Sequence, residues 1–227
     1  MIGSGSKLGF PLAAAAVITM FLGPGFLDAR AQGADPREPG KLREKQWANI
    51  EGFRSAHFGM SEPEVLKAIF RDFKIPKSKV IRKTHPIERT VRLGIKVSGL
   101  LPSSGPAHIL YILGFKSNKL IEIDLIWGNT VSSDMSAERV VGIANQLLNH
   151  FSRQKFQKDG LVINGTLPDG SILVFRGKDR KGRMAILHYN NPKDEDGKPS
   201  KEKTALRLSY IETPTSPDIF QIKEGEF

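Results

Sequence analysis

The chain has 227 residues, no cysteine, and 34 lysines and arginines against 24 aspartates and glutamates, which gives a formal charge of +10. This length fits one large or two small domains, and the hydrophobic fraction of 39% is typical of a globular chain. The missing cysteine excludes disulfides, thiolate metal sites, a cysteine nucleophile, iron–sulfur clusters and a lipid-modified cysteine.

The N-terminus resembles a targeting segment. Residues 8–27 carry no charge, follow Lys7 and precede Ala29-Arg30-Ala31. A basic start, a short apolar run and a small-x-small site are typical of a secretory signal peptide. This pattern predicts a signal peptide over residues 1–31, with Ala34 as a second candidate cleavage site, and a periplasmic or secreted protein. An uncleaved membrane anchor is the alternative, against which the helix breakers at Pro11 and Gly23-Pro24-Gly25 argue.

The remaining chain divides by composition into three parts. Removing residues 1–31 leaves a charge of +9, so the basic character belongs to the exported part. Residues 32–50 are polar and contain Pro36, Pro39 and Gly40, which predicts a flexible lead-in. We expect one α+β domain over residues 51–212 and a loose C-terminal tail over 213–227.

The first predicted element is a helix that begins at Ser61-Glu62-Pro63-Glu64. This is the S-x-x-E pattern of a capping box, with proline in the first turn. Apolar residues then recur at helical spacing as far as Phe73, and Pro76 ends the helix.

Three strands are predicted next, over residues 87–97, 109–115 and 120–127. In the first, the apolar face holds Ile87, Val91, Leu93, Ile95 and Val97, and the polar face holds Glu88, Thr90, Arg92 and Lys96. In the third, Glu122 and Asp124 alternate with apolar residues. Strict alternation indicates strands with one solvated face.

A second helix is predicted over residues 136–156, followed by strands over 161–166, 171–176, 184–189 and 205–211. The expected fold class is therefore α+β, with a mostly antiparallel sheet and two helices on one face. Residues 53–128 and 134–211 each contain a helix followed by a meander, which suggests two tandem units of the same element order.

Two segments carry a resemblance to known proteins. Phe58-Gly59-Met60-Ser61 followed by Glu64-Val65, and the hairpin over residues 111–127, resemble the beta-lactamase-inhibitor-like proteins and the small lipoproteins of the outer-membrane barrel-assembly machinery. The resemblance implies a non-catalytic module that binds proteins across an exposed sheet face or loops. The chain departs from both groups, since it has neither a lipobox cysteine nor a cysteine pair.

Catalytic motifs are absent from the sequence. The five histidines show no metal-ligand spacing, and the hydrolase elbow and the glycine-rich nucleotide loops are missing. We therefore assign no catalytic residue, no metal and no cofactor. The pair Glu122 and Asp124 can act as acid and base on an envelope polymer, or can simply be the solvated side of a strand. Whether the protein is an enzyme stays open, and the sequence favours that it is not.

Basic residues are concentrated in two places. Ten lie between Lys67 and Lys96, and a second cluster lies in residues 176–183. The candidates for contact with an anionic partner are Lys77, Lys79, Arg82, Lys83, Arg180, Lys181 and Arg183. A secretory signal and the lack of interleaved aromatic residues argue against nucleic acid, and solubility alone is the simplest alternative.

Three functions follow from these features. The first is an exported non-enzymatic binding or accessory protein of the envelope, whose sheet face around Thr90, Arg92, Lys96, Glu122 and Asp124 meets another envelope protein. The second is an enzyme that uses Glu122 and Asp124. The third is a binder of anionic lipid or polysaccharide surfaces.

Overall fold

A computed structural model describes residues 44–190, 204–222 and 225. The predicted signal peptide, most of the lead-in and the end of the tail lie outside the described residues. The described elements are β1 (Gly52–Phe53), β2 (Ala56–His57), α1 (Glu62–Phe73), a 3-10 turn (Lys77–Lys79), β3 (Ile81–Thr84), β4 (Val91–Ser98), β5 (Pro106–Leu113), β6 (Leu120–Gly128), α2 (Ala137–Ser152), β7 (Val162–Thr166), β8 (Ile172–Lys178), β9 (Met184–Asn190) and β10 (Ala205–Ile211).

Helix α1 is capped by Ser61, as the sequence indicates, and helix α2 by Ser136, one of two candidate caps beside Asp134. The capping box at α1 is present, and the Glu64 carboxylate accepts a 2.7 Å hydrogen bond from the Ser61 backbone amide. At α2 the Ser136 hydroxyl accepts from the Arg139 amide at 3.2 Å. Neither of these two described helices is long and apolar enough to cross a membrane.

The main sheet is antiparallel throughout and has the strand order β3-β4-β5-β6-β10-β9-β8-β7. Each half of the chain is a helix followed by a four-strand meander, and the last strand of each meander meets the other at the centre. The β6–β10 pairing runs from Gly128 opposite Ala205 to Glu122 opposite Ile211. The α+β class and the mostly antiparallel sheet predicted from the sequence are confirmed.

The two faces of the sheet differ in what covers them. One face carries the hydrophobic core, to which buried residues of both helices contribute, including Ile69 of α1 and Phe151 of α2. Phe151 stacks on Phe175 of β8 with ring centroids 4.8 Å apart. We call the opposite side the open face, because no described helix or strand packs over it. Both helices therefore lie on one side of the sheet, as the alternation pattern predicts.

The start of the first meander differs from the expectation. The segment 87–97 contains a turn as well as a strand. In the turn, the Arg89 amide donates to the His85 carbonyl at 2.9 Å, and Arg89 has a left-handed φ of 55°. Ile87 is 74% exposed in this turn, so its predicted place on the buried face is wrong. The preceding strand β3 was not predicted, because all four of its residues are exposed and it has no buried side to produce alternation.

The described end of the lead-in is attached to the domain. Ile50 is buried, and its amide donates to the Asp179 carboxylate at 2.9 Å. The Ala48 amide also bonds the Lys155 carbonyl at 2.9 Å. Ala48 and Ile50, which composition places in the flexible lead-in, are therefore held against the domain by a backbone hydrogen bond and a buried carboxylate.

The tail also differs from the expectation of a loose segment. The Asp218 carboxylate accepts from the amides of Lys116 and Ser117 at 3.0 and 2.8 Å, and the Phe220 amide donates to the Glu88 carbonyl at 2.8 Å. These bonds tie the described tail to the β5–β6 turn and to the turn before β4.

Two glycines in the second half test the packing in opposite directions. A Cβ on Gly177 would lie 2.7 Å from ring atoms of both Phe156 and Phe175, whereas one on Gly142, inside α2, would meet nothing within 4 Å. We expect Gly177→Ala to lower the free energy of unfolding by about 1–3 kcal/mol through overpacking. Gly142→Ala should raise it by up to about 1 kcal/mol because alanine favours the helix. Urea unfolding of the two variants beside the parent chain measures both changes, and a Gly177→Ala variant of unchanged stability would contradict the packing described here.

Candidate functional site

The candidate site lies on the open face where the two meanders meet. Its row of facing residues is fixed by the strand register: Arg92 of β4 is opposite Ile112, which is opposite Glu122. Two residues along, Asp124 of β6 is opposite Ser209 of β10. Because directly opposed residues of an antiparallel sheet share a face, the structure brings Arg92, Glu122 and Asp124 to one side.

Lys96 of β4 lies on the same face, in the row opposite His108, two rows from that of Glu122. Its Nζ donates to the Val131 carbonyl at 2.8 Å. Thr90 does not belong to this surface. It precedes β4 and has no exposed area, so its predicted place on an exposed sheet face is wrong. The register begins only at Val91, and the alternation of the strand does not extend back to residue 90.

Asp124 is a buried carboxylate with polar partners on the neighbouring strand. It is 4% exposed, and the Ser209 hydroxyl donates to its Oδ1 at 2.5 Å. Arg207 of β10 places Nη1 3.9 Å from Oδ2, and the Arg207 side chain remains 53% exposed. The charge of Asp124 is therefore balanced from one side by a serine and a solvent-facing guanidinium.

Glu122 adds a second carboxyl to the same spot. Burial, the charge of Asp124 and a hydrogen bond with Asp124 raise the pKa of Glu122 to about 8, and Arg207 offsets this only in part. A carboxyl group with this pKa is mostly protonated at neutral pH, so Glu122 can donate a hydrogen bond there.

A cavity of about 320 Å³ lies beside Glu122, between the sheet and the tail. Its polar lining includes Ser117, Lys119, Ser216 and Asp218. Burial raises the pKa of Asp218, but hydrogen bonds from Ser117 and from the backbone amides of the turn outweigh it and hold the pKa below its usual range. The tail thus forms one wall of this cavity, and an ionised Asp218 holds that wall in place.

A second polar group on the open face contains serine, histidine and aspartate. His188 Nε2 lies 2.7 Å from the Ser171 hydroxyl, which donates to Asp169 Oδ1 at 2.6 Å. In a catalytic triad the histidine stands between the other two and takes the proton of the serine. Here the serine stands in the middle and gives its proton to the aspartate, so it is not activated as a nucleophile. The group closes the β7–β8 turn.

The predicted basic candidates divide into engaged and free side chains. At the β8–β9 turn, Lys181 pairs with Glu51 at 2.9 Å, Arg183 donates to the Ile50 carbonyl at 3.2 Å, and Arg180 lies 4.5 Å over the Trp47 ring. These three contacts attach the end of the lead-in to the domain. The role of these three residues in contacting an anionic partner stays a prediction, and the structure adds that each already has a contact within the fold.

The earlier basic candidates are more accessible. Arg82 pairs with Glu62 at 3.1 Å. Lys77, Lys79 and Lys83 are exposed, and none has an ion pair within 4 Å among the described residues. This part of the predicted basic stripe is the one that presents free cations.

Within residues 44–190, 204–222 and 225, no group of three or more His, Asp or Glu side chains is placed to hold a metal ion.

No protein-family model matches the chain, no curated protein matches it, and no solved structure matches it.

The sequence did not indicate three contributors to the site. Arg207 and Ser209 lie on the last strand, 83–85 residues after Asp124, so only the strand order brings them to β6. Asp218 lies in the segment that composition marks as loose. The one available signal was the alternation of β10, in which Arg207 and Ser209 occupy the polar positions.

The carboxyl pair makes stability depend on pH. Glu122 has a higher pKa in the folded chain, about 8, than the ordinary value of 4.5 for a glutamate carboxyl, so the folded state binds its proton more tightly. Its contribution favours folding fully at low pH and is lost as pH rises from about 4.5 through about 8, by at most about 1.4 kcal/mol per pH unit. Glu122→Gln, which imitates the neutral acid, should remove this dependence and be more stable than the parent above pH 8.

Thermal or urea unfolding between pH 4 and pH 9, plotted as the difference between variant and parent, measures the effect. Glu44→Gln is the control, because this side chain is 91% exposed. Parallel curves for Glu122→Gln and the parent would contradict the raised pKa of Glu122.

Proposed function

We propose that the protein is an exported, non-enzymatic binding or accessory protein of the bacterial envelope, and that it holds a partner protein on the open face. The observation that carries the proposal is the uneven cover of the sheet. Both helices are on one side, and the described residues supply no helix or strand to the other.

The chemistry of the open face supports a protein partner. Half-buried Leu110, Ile126 and Ile186 alternate across the strands with charged residues, of which Arg207 is 53% exposed. Arg92 is half-buried, and its Nη2 pairs with the Glu88 carboxylate at 2.8 Å. Mixed apolar and charged surfaces are typical of non-obligate protein interfaces. The raised pKa of Glu122 lets this carboxyl group donate as well as accept hydrogen bonds near neutral pH.

The resemblance to beta-lactamase-inhibitor-like proteins and to small barrel-assembly lipoproteins is part of this proposal. Two helix-plus-meander units on one antiparallel sheet, with one side uncovered, agree with what that resemblance implies. The proposed export to the periplasm or medium depends only on the signal pattern in residues 1–31.

An enzyme acting on envelope polymers is the second candidate, because the pKa of Glu122 is raised beside a cavity. Glycoside hydrolysis needs two carboxyl groups about 5–5.5 Å apart, or about 6.5–9.5 Å apart with room for water. Asp124 is instead 4% exposed, and its Oδ1 is already bonded to the Ser209 hydroxyl, so it is poorly placed to act on an external sugar. The geometry therefore favours binding over hydrolysis.

An affinity pull-down from an envelope extract tests the proposal. The bait is the exported chain, compared with a Lys96→Ala/Arg207→Ala variant of the open face. We expect a reproducible partner that the parent retains and the variant loses, since removing two interfacial cations costs affinity when the partner is complementary.

The matched control is Arg153→Ala/Lys158→Ala, which removes two exposed cations outside the open face. It should retain the partner. Recovery of no reproducible partner, or equal recovery by the open-face variant, would reject the proposal.

A further inference from the structure

A groove on the helix side of the domain is separate from the open face. It has a volume of about 650 Å³, and its lining residues are Glu62, Pro63, Leu66, Lys67, Phe70, Pro76 and Lys77. Glu62, Leu66 and Phe70 are spaced four residues apart, so they form one stripe along the outer side of α1. Lys74 ends the helix with a left-handed φ of 59°, and the chain turns so that Pro76 and Lys77 complete the groove.

The base of this groove is apolar and unusually accessible. Phe70 is 54% exposed, although a large aromatic side chain contributes most to stability when buried. Its neighbours Leu66, Pro63 and Pro76 add further apolar lining. An exposed aromatic ring in a concave apolar site is the usual form of an anchor pocket for a partner's side chain.

The surroundings of the groove are strongly basic. Between Leu66 and Lys83 the chain has seven basic residues and one acidic residue. Lys67 and Lys77 line the groove and have no ion pair within 4 Å among the described residues, whereas the lining carboxylate Glu62 is already paired with Arg82 at 3.1 Å. The potential over the groove is accordingly positive, and an occupant with negative charge is favoured.

We propose that this groove binds a short acidic segment of a partner protein, with one apolar side chain of the segment seated against Phe70 and Leu66 and its carboxylates facing Lys67 and Lys77. The lining mixes apolar side chains with two lysines and one paired carboxylate, which suits a short acidic peptide segment with one apolar side chain. The site lies on the opposite side of the sheet from the open face, so the protein can engage two partners, or two parts of one partner, at once.

Fluorescence anisotropy with a labelled synthetic hexapeptide tests the proposal on the full chain. The probe has a central Leu-Phe pair with two acidic residues on each side. A second peptide carries lysines in place of the acidic residues, and a third carries serines in place of the Leu-Phe pair. We expect the first to bind, each of the others to bind at least about tenfold more weakly, and added salt to weaken the first.

Variants locate the binding in the groove. Phe70→Ser and Lys67→Glu/Lys77→Glu should each weaken the first peptide about tenfold or more. Their controls are Ile87→Ser, which changes a residue that is 74% exposed elsewhere, and Arg153→Glu/Lys158→Glu, which makes the same change in net charge. All the changed side chains are exposed, and circular dichroism verifies that each variant folds.

The open-face variant Lys96→Ala/Arg207→Ala should bind the peptide like the parent, which keeps this test independent of the proposed function. No binding of the acidic peptide, equal binding of the serine-substituted peptide, or unchanged binding by the groove variants would each overturn the proposal. So would sedimentation of the chain with vesicles of phosphatidylcholine and phosphatidylglycerol in the absence of peptide binding, since that result would identify a lipid surface instead.

Discussion

The pairing of β6 with β10 is the interaction on which the rest of the structure depends. Each meander alone is a four-stranded sheet with a helix, and each would leave its last strand as an unpaired edge. Seven residue pairs between Glu122–Gly128 and Ala205–Ile211 join these two edges and make one sheet of eight strands. The join buries both final strands at the centre, where unpaired backbone groups would be costly, and gives the two helices one shared hydrophobic layer.

The same pairing creates the candidate site. Asp124 comes from the first meander, and its partners Ser209 and Arg207 come from the second. Glu122, two residues from Asp124, then holds a proton that a carboxyl group on an ordinary strand surface would release. Burial opposes the ionised form of Glu122, so its contribution to stability falls as the pH rises. Asp124 itself is 4% exposed, so of the two carboxyl groups only the half-buried Glu122 reaches the surface of the open face.

Much of the basic character is used by the fold itself. Arg180, Lys181 and Arg183 contact the described end of the lead-in, and Arg82 joins β3 to α1. Among the described residues, the exposed cations without an ion pair include Lys67 and Lys77 at the groove of α1, and others such as Arg153 and Lys158 elsewhere. Net charge alone does not distinguish these two uses, because the distinction depends on which carboxylates, carbonyls and rings lie within reach.

Local patterns predicted the helices, most strands and the side of the sheet that is buried. Capping at Ser61 and Ser136 and the alternation in β6 and β10 involve neighbours in the sequence, so they are visible there. The pattern missed β3, whose exposed residues carry no periodic signal, and placed Thr90 and Ile87 wrongly, because a turn interrupts the alternation after Thr84. The contacts of Asp124 with Ser209 and of Asp218 with Ser117 were not predictable, since they span 85 and 101 residues and depend on strand order.

The most direct test of this account is cross-linking across the central pair of strands. The chain has no cysteine of its own, so an Ile126→Cys/Arg207→Cys variant places two thiols at facing positions of β6 and β10 without competing pairs. A disulfide requires a Cα separation of about 4.4–6.8 Å, which facing residues of an antiparallel pair have. The diagonal pair Ile126→Cys/Ala205→Cys is the control, because its Cα atoms lie farther apart than this range. Mass spectrometry after mild oxidation and thiol alkylation should show the facing pair closed and the diagonal pair alkylated. A facing pair that stays reduced, or a diagonal pair that closes instead, would contradict the joined eight-stranded sheet and the site built on it.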